Sequence, residues 1–171
     1  MIDEYLSCCF TGYRPHKFPF SFEADNLGFN RLSNSLINTV SELAENGCYT
    51  FYSGMAMGFD ILAGETVLLV KQAFENKADV RLIAVIPFKE QSKSFPENWK
   101  IRYDALLEAA DERVLMSNDY SRGCFRCRNE FMVKMSDYVV TWFDGKSGGT
   151  KNTVAFARSL GRSVINLYEE R

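Results

Sequence analysis

The sequence is poor in histidine, with only His16 among 171 residues. A Ser-His-Asp or Cys-His arrangement needs a histidine held beside its nucleophile, and His16 lies in a segment broken by Pro15 and Pro19, so we do not predict catalysis of that kind. Cys124 and Cys127 have the local spacing of zinc ligands, but a structural zinc site needs a second pair. We therefore predict no metal site.

Long apolar runs and a strong charge of either sign are also missing. No stretch approaches the roughly 18 apolar residues that a membrane-spanning helix needs. The net charge is −2, which argues against the broad basic surface of many nucleic-acid or membrane-binding proteins. The first five residues carry two acidic and no basic side chains, unlike a secretory signal, and the five cysteines are an odd number. These features predict a cytoplasmic protein with no membrane partner and reduced thiols.

What the sequence does contain is a glycine-bearing turn after an aromatic, β-branched run. Residues 53–60 read S-G-x-x-x-G-x-D and lead into an apolar segment of helical period. The unpaired N–H groups of such a helix start attract a phosphate if no side chain blocks it, and Gly54 and Gly58 remove that obstacle. A larger side chain at Gly58 is then expected to fill the phosphate's place and leave the fold intact. The alternative is an ordinary strand-to-helix turn, because the spacing matches neither the dinucleotide nor the P-loop motif.

The apolar pattern predicts strands that alternate with helices along the whole chain. The predicted strands are 6–11, 49–52, 80–86, 113–116, 138–143 and 163–167; the predicted helices lie at 32–46, 61–73, 99–110, 128–135 and 154–160. This alternation predicts an α/β fold in three layers, with a mostly parallel sheet covered by helices on both faces, in a single domain spanning 1–171. Ligands of such sheets bind beyond the carboxyl ends of the strands.

Three predicted strand ends carry glycine, and we expect them to form one joint pocket. The hydroxyl groups there are candidates for bonds to phosphate or ribose oxygens, although each could instead cap the following helix. The arginines are candidates for phosphate, although most isolated arginines lie on the surface. Asp60 could cap its helix or accept from a ribose. The predicted ligand-binding residues are Thr11, Gly12, Arg14, Ser53, Gly54, Met55, Gly58, Asp60, Arg128, Gly148, Gly149 and Thr150.

Four ordered motifs together resemble the SLOG superfamily. They are S-G-M-A-M-G-F-D at 53–60, R-N at 128–129, S-D at 136–137 and S-G-G-T at 147–150. Two further motifs, F-T-G-Y-R-P at 10–15 and F-D-G at 143–145, are most similar to the YpsA-like branch. The resemblance covers nearly the whole chain and implies a Rossmann-like fold and a nucleotide-related ligand. We expect a binding domain that senses or sequesters a small nucleotide-derived ligand, with ADP-ribose-like molecules preferred and no cofactor required.

The superfamily also includes the LOG phosphoribohydrolases, which cleave the N-glycosidic bond of nucleoside monophosphates. The resemblance places Arg128 where these enzymes carry a working arginine, but Asn129 replaces their lysine. Their P-G-G-x-G-T-x-x-E motif has no matching glutamate here, and such a reaction calls for a nearby carboxylate. A hydrolase would have to use Asp60 or Glu130 with Arg128, so we lean towards a protein that is not an enzyme.

Another member is the Rossmann-like domain of DNA-processing protein A, which binds single-stranded DNA. By analogy, a single strand is an alternative partner that the acidity of the chain does not favour. Its cations would be Arg14, Lys89, Lys93, Arg122, Arg126 and Arg128, and its stacking rings Tyr13, Phe125 and Trp99.

A homodimer is expected because LOG-type members form dimers. Phe18, Phe20 and Phe22 alternate along the proline-containing loop before the first helix. They would either form an exposed apolar interface or cap the core of their own subunit.

Overall fold

A computed structural model describes residues 5–168 of the chain. Its strands are β1 (Leu6–Thr11), β2 (Cys48–Ser53), β3 (Arg81–Ile86), β4 (Glu112–Leu115), β5 (Tyr138–Thr141) and β6 (Ser163–Asn166). Its helices are α1 (Leu27–Glu45), α2 (Phe59–Phe74), α3 (Glu97–Ala109), α4 (Cys124–Lys134) and α5 (Gly149–Ser159). Short 3₁₀ turns cover Pro15–Lys17 and Gln91–Ser94.

The six strands form one sheet in the order β4-β3-β2-β1-β5-β6, and every neighbouring pair is parallel. This confirms the predicted Rossmann-like α/β fold, with a sheet that is wholly rather than mostly parallel. From β1 the chain builds outwards through β2, β3 and β4, then returns to place β5 on the other side of β1. The strand order therefore reverses between β1 and β5, and ligands of open α/β sheets bind at such a switch point.

Helices cover both faces of the sheet. α1, α2 and α3 pack on one face, around a core that includes Phe10 and Phe51. α4 and α5 pack on the other face, where Met132 and Ala157 contact side chains such as Cys9. Right-handed crossovers produce this division, because reversing the building direction puts the later helices on the opposite face.

The predicted fifth strand runs two residues too far. β5 ends at Thr141, its last residue paired with β1 and β6. Beyond it, the side chain of Asn166 accepts from the Phe143 N–H at 3.0 Å and donates to the Phe143 carbonyl at 2.8 Å. A side chain therefore replaces the strand ladder at this point, which frees the following loop to turn towards α5.

Phe18, Phe20 and Phe22 cap the core of their own chain. The Phe18 ring is 8% exposed and lies 4.8 Å from the Trp142 ring, centroid to centroid. The Phe20 ring is 5.9 Å from Trp142, and the Phe22 ring is 6.0 Å from Trp99. Of the two alternatives left by the sequence, the structure shows internal packing, and the expected exposed patch is not present at these residues.

Within residues 5–168, no helix combines the length and the apolar character needed to cross a membrane.

Candidate functional site

A cavity of about 240 Å³ opens at the point where the strand order reverses. It lies between the loops that follow β1, β2 and β5 and the first turns of α4 and α5. We call it the switch-point cavity. Its lining residues are Thr11, Gly12, Tyr13, Arg14, Lys17, Ala56, Asp60, Phe125, Arg128, Asn129, Gly149 and Thr150.

The structure brings together seven of the twelve predicted binding residues around this cavity. They are Thr11, Gly12, Arg14, Asp60, Arg128, Gly149 and Thr150. The other five, Ser53, Gly54, Met55, Gly58 and Gly148, are not among its lining residues. Glu130, the second carboxylate considered for hydrolysis, is also outside the lining, and its carboxylate is 3.6 Å from the guanidinium of Arg126.

The turn before α2 is filled by the protein itself. The buried Ser53 hydroxyl donates to the Asp60 carbonyl at 2.9 Å and accepts from the Met55 N–H at 3.2 Å. The Phe59 N–H, in the first turn of α2, donates to the Tyr13 carbonyl at 3.1 Å. Ser53 thus serves the local turn, and at least one N–H expected to bind phosphate is already taken.

Gly58 faces the loop after β1 rather than open space. A Cβ at Gly58 would lie 2.6 Å from the Tyr13 carbonyl oxygen, and its φ of +91° disfavours any L side chain. The expectation that a larger residue there would leave the fold intact is therefore wrong. Gly54 is equally enclosed, because its Cβ would meet the guanidinium of Arg128 at 2.4 Å.

The start of α5 is open. Gly148 precedes the helix with φ +146° and provides no side-chain cap. A Cβ at Gly149 would find no atom within 4 Å, so the space beside the first residue of this helix is open. The Thr150 side chain is buried at the cavity wall. An uncapped helix start of this kind presents donors and a positive dipole end to the cavity.

Arg128 is a buried cation held from two sides. Its Nη1 donates to the Gly54 carbonyl, and its Nε donates to Oδ1 of Asn129 at 2.7 Å. Asn129 is itself fixed, because its Nδ2 donates to the Thr153 hydroxyl at 3.1 Å. Burial lowers the pKa of Arg128, while the charge of Asp60 opposes that change. The guanidinium is therefore preorganised at the cavity wall.

Asp60 is a buried carboxylic acid facing this guanidinium and the cavity. It is 6% exposed, and burial raises its pKa from 3.8 to about 6, against the opposing influence of Arg128, the Ala56 N–H and Arg14. In the described part of the chain it has no ion-pair partner within 4 Å. A carboxyl group perturbed in this way, in a cleft, is typical of functional sites.

Two exposed cations stand at the cavity mouth. The Arg14 guanidinium carbon lies 5.6 Å from the centre of the Phe125 ring, and Lys17 Nζ lies 5.9 Å from the Tyr13 ring. Neither cation has an ion-pair partner among the described residues. Lys17 and Asn129 were not predicted as binding residues. Nothing in the sequence spacing distinguishes Lys17 from the other basic residues, and the resemblance marks Asn129 only as the residue that replaces a lysine.

A second cavity, of about 340 Å³, includes Phe20, Trp142 and Asp144 in its lining. The Tyr13 hydroxyl donates to Asp144 at 2.5 Å, and Lys146 Nζ is 2.9 Å from the same carboxylate. Burial and this hydrogen bond raise the pKa of Tyr13 to about 12. The carboxylate in the lining of this second cavity is therefore already satisfied by the protein itself.

The residues proposed for a single-stranded nucleic acid do not form one exposed surface. Tyr13 and Trp99 are buried, at 4% and 7% exposure, and the guanidinium carbon of Arg102 lies 4.2 Å from the Trp99 ring. Lys93 forms an ion pair with Glu90 at 3.2 Å. Of the three predicted stacking rings, Tyr13 and Phe125 line the cavity, whereas Trp99 does not.

The cysteines are free thiols in the structure. Cys124 is buried and Cys127 is exposed, so the two side chains of the C-x-x-C segment lie in different environments. Among residues 5–168, no three potential metal ligands of the His, Cys, Asp or Glu type lie together.

Comparison with protein families matches residues 8–160 to the model described as the YspA SLOG family. Among curated proteins, the chain is 27% identical to the uncharacterized SPbeta prophage-derived protein YoqJ of Bacillus subtilis, over 82% of this chain and 89% of that protein. It is 24% identical to the UPF0398 protein YpsA of the same organism, over 82% of this chain and 77% of that protein.

Two solved structures of DNA processing protein A have a similar fold. The Streptococcus pneumoniae protein superposes with a TM-score of 0.62 at 18% identity, covering 95% of this chain and 50% of its own. The Helicobacter pylori protein, whose structure is described by its single-stranded DNA binding mode, gives 0.61 at 20% identity, covering 96% and 66%. The chain thus spans half to two thirds of these proteins, and at this identity the likeness concerns the fold alone.

Proposed function

The chain belongs to the YspA SLOG family, and we propose that it is a binding protein whose switch-point cavity takes a phosphorylated, nucleotide-derived ligand. The family and the fold suggest nucleotide or nucleic-acid binding at the coarse level. The finer proposal assigns the phosphate to the start of α5 and the sugar to the inner part of the cavity. An ADP-ribose-like molecule is the preferred ligand.

The observation that carries this proposal is the charge around the open start of α5. Arg14, Lys17 and Arg128 line the same cavity as Gly149, against the single carboxyl group of Asp60. A helix start without a cap binds anions through its N–H groups and dipole, and guanidinium groups add bidentate bonds to phosphate. Both features favour an anionic ligand over a neutral one.

The inner wall of the cavity is suited to a sugar. Thr11 and Thr150 line it and form no side-chain hydrogen bond within the described residues. Asp60 can accept hydrogen bonds from a vicinal diol, as an acidic residue does for ribose in dinucleotide-binding folds. A cavity of about 240 Å³ is below the roughly 300–1,000 Å³ that encloses a whole drug-sized ligand. It therefore encloses the sugar-phosphate end of such a ligand rather than the whole molecule.

A thermal-shift panel with ADP-ribose, nucleoside monophosphates and ribose 5-phosphate tests the proposal. A ligand present at about 100 times its dissociation constant should add about 2.7 kcal/mol to the free energy of unfolding. The double variant Arg14→Ala, Lys17→Ala should lose most of the shift and keep its unliganded melting temperature, because both side chains are exposed. The matched control is Arg113→Ala, Arg158→Ala, which removes two exposed cations outside the cavity. No shift with any compound, or an equal loss in the control, would contradict the proposal.

A second candidate function, hydrolysis of an N-glycosidic bond, is favoured by Asp60 alone. A carboxyl group whose pKa is about 6 can donate or accept a proton near neutral pH, and Asp60 faces the cavity beside Arg128. Released base or nicotinamide from nucleoside monophosphates or NAD, abolished by Asp60→Asn, would establish the activity. Glu130→Gln is the control, because Glu130 lies outside the cavity lining.

Binding of single-stranded DNA is an alternative based on the DNA processing protein A of Helicobacter pylori. If it occurs here, it should depend steeply on salt through counterion release. An oligonucleotide held equally well at about 50 mM and about 200 mM salt would exclude this mode of binding.

A further inference from the structure

Three aromatic rings form a cluster beside the switch-point cavity. The centroid of Phe88 lies 5.4 Å from that of Tyr120 and 5.9 Å from that of Phe125, and Tyr120 and Phe125 are 6.5 Å apart. We call Phe88, Tyr120 and Phe125 the aromatic trio. Phe125 belongs to the lining of the cavity, whereas Phe88 and Tyr120 line an adjoining hollow together with Lys89. The trio therefore connects the cavity to the surface next to it.

The outer ring of the trio is left open to solvent. Tyr120 is 64% exposed, and within the described residues its hydroxyl forms no hydrogen bond. Tyr120 therefore presents an aromatic face to solvent next to the polar cavity, and every nucleobase can stack on such a face.

Two cations beside the trio are suited to a phosphate chain, while the acidic residues Glu90 and Asp119 line the same hollow as Lys89. Arg14 lies over the Phe125 ring, and exposed Lys89 follows Phe88 in sequence. Neither forms an ion pair in the part of the chain that the structure describes. The cavity holds only a sugar phosphate by volume. A nucleoside linked through phosphate to this sugar phosphate would extend out of the cavity past the ring of Phe125.

We infer that the aromatic trio is a nucleobase-stacking site and that the ligand is a nucleoside diphosphate linked to a second sugar. This inference rests on the proposed function. The second sugar occupies the inner cavity near Asp60, the diphosphate lies between the start of α5 and Arg14, and the base stacks on the trio.

Calorimetric titration with ADP-ribose and with ribose 5-phosphate tests the inference, because only the first probe carries a base. Tyr120→Ala should weaken ADP-ribose binding by about 5- to 140-fold, the factor that corresponds to about 1–3 kcal/mol of base stacking at 1.4 kcal/mol per tenfold. Ribose 5-phosphate binding should not change. Tyr120→Phe should restore ADP-ribose affinity, because stacking needs the ring and not the hydroxyl group.

Tyr5→Ala is the matched control. Tyr5 is 65% exposed and packs against Tyr49, at 5.1 Å between centroids, away from the cavity lining. It should leave both affinities unchanged. Suppose that the wild-type protein binds both probes, but Tyr120→Ala leaves both affinities unchanged or weakens both by the same factor. The stacking site is then contradicted, while the proposed function stands. If neither probe binds to wild type, the proposed function fails, and the inference with it.

Discussion

At the scale of single residues, Asp60 is the most informative group. Its carboxyl is buried beside a guanidinium that is already bound to the Gly54 carbonyl and to Asn129. The guanidinium therefore compensates the carboxylate only in part, and burial keeps its pKa above the ordinary value. The backbone of Asp60 is held in place by the Ser53 hydroxyl, which donates to the Asp60 carbonyl.

The stability of the protein should depend on pH through Asp60. The pKa of Asp60 is about 6 in the folded protein, against 3.8 for an ordinary aspartate in the unfolded chain. Between these pH values the folded state binds more protons than the unfolded state, so stability falls as the pH rises. The free energy of unfolding should fall by about 3 kcal/mol across this range, because the pKa of Asp60 is shifted by about two units. Asp60→Asn should flatten this slope and be more stable than wild type at pH 7. Urea unfolding at a series of pH values measures it.

Two other carboxyl groups serve as internal references for that measurement. The pKa of Asp111 and that of Asp144 are lowered; burial acts in the opposite direction but is outweighed by hydrogen bonds from Lys71 and Tyr13. Their stabilisation is present above pH 3.8 and is lost as pH falls through their lower folded values. The fall in stability between pH 4 and pH 6 therefore does not come from Asp111 or Asp144. An equal slope in wild type and Asp60→Asn would exclude Asp60 as its source.

Gly58→Ala should destabilise the unliganded protein. Its Cβ would be forced against the Tyr13 carbonyl and into a positive φ, which costs at least about 1–2 kcal/mol before the clash is counted. Gly149→Ala is the control, because nothing lies within 4 Å of its Cβ. Chemical unfolding of both variants gives the comparison. If Gly58→Ala and Gly149→Ala are equally stable, the loop after β1 can move away from a Cβ at residue 58 at no cost, which contradicts the prediction.

At the scale of elements, α2 and α5 begin in opposite ways although both follow a glycine turn. The first turn of α2 donates to the Tyr13 carbonyl, whereas the first turn of α5 has no cap and faces the cavity. The sequence predicted both turns as phosphate sites from the same residue type. The difference comes from a tertiary contact, the approach of the β1 loop, which residue spacing along the chain does not encode.

Gly149→Asp should separate helix stability from ligand binding. A carboxylate in the first turn of α5 interacts favourably with the helix dipole by about 0.3–1 kcal/mol, so the unliganded protein should be no less stable. The same carboxylate would repel and displace a phosphate. Melting temperatures with and without ADP-ribose test both expectations. If the variant keeps the full ligand-induced shift in melting temperature, the phosphate does not bind at the start of α5.

The strands and helices could be predicted from the sequence because their signals are local. The apolar run from Val80 to Ile86 and the glycine that follows α1 mark their elements directly. The site could be predicted only in part: the strand ends located Thr11 and Thr150, but Lys17 reaches the cavity through a 3₁₀ turn. The close contact of Gly54 with Arg128 also depends on packing between distant segments.

At the scale of the whole molecule, the sheet order explains why one cavity collects residues from four separate segments. β1 lies next to both β2 and β5, so the loops after all three meet at one edge. The predicted homodimer is a separate matter and stays a prediction. Its aromatic argument no longer holds, because Phe18, Phe20 and Phe22 pack on Trp142, Trp99 and one another.

Phe18→Ala should lower stability without changing the assembly state. Removing this buried ring should cost about 3–5 kcal/mol. The mass in light scattering should equal that of wild type at the same concentration, measured at a temperature where both are folded. If the wild-type protein is a dimer and the Phe18→Ala variant is a monomer, the aromatic loop is an interface after all.

The most direct test of the central claim is a titration of isotope-labelled protein with ADP-ribose, followed by amide chemical shifts. The account predicts the largest changes at the N–H groups of Gly12, Arg14, Phe125, Gly149 and Thr150, which surround the switch-point cavity. Changes centred instead on the cavity beside Trp142, or no changes at concentrations that saturate a nucleotide site, would contradict it.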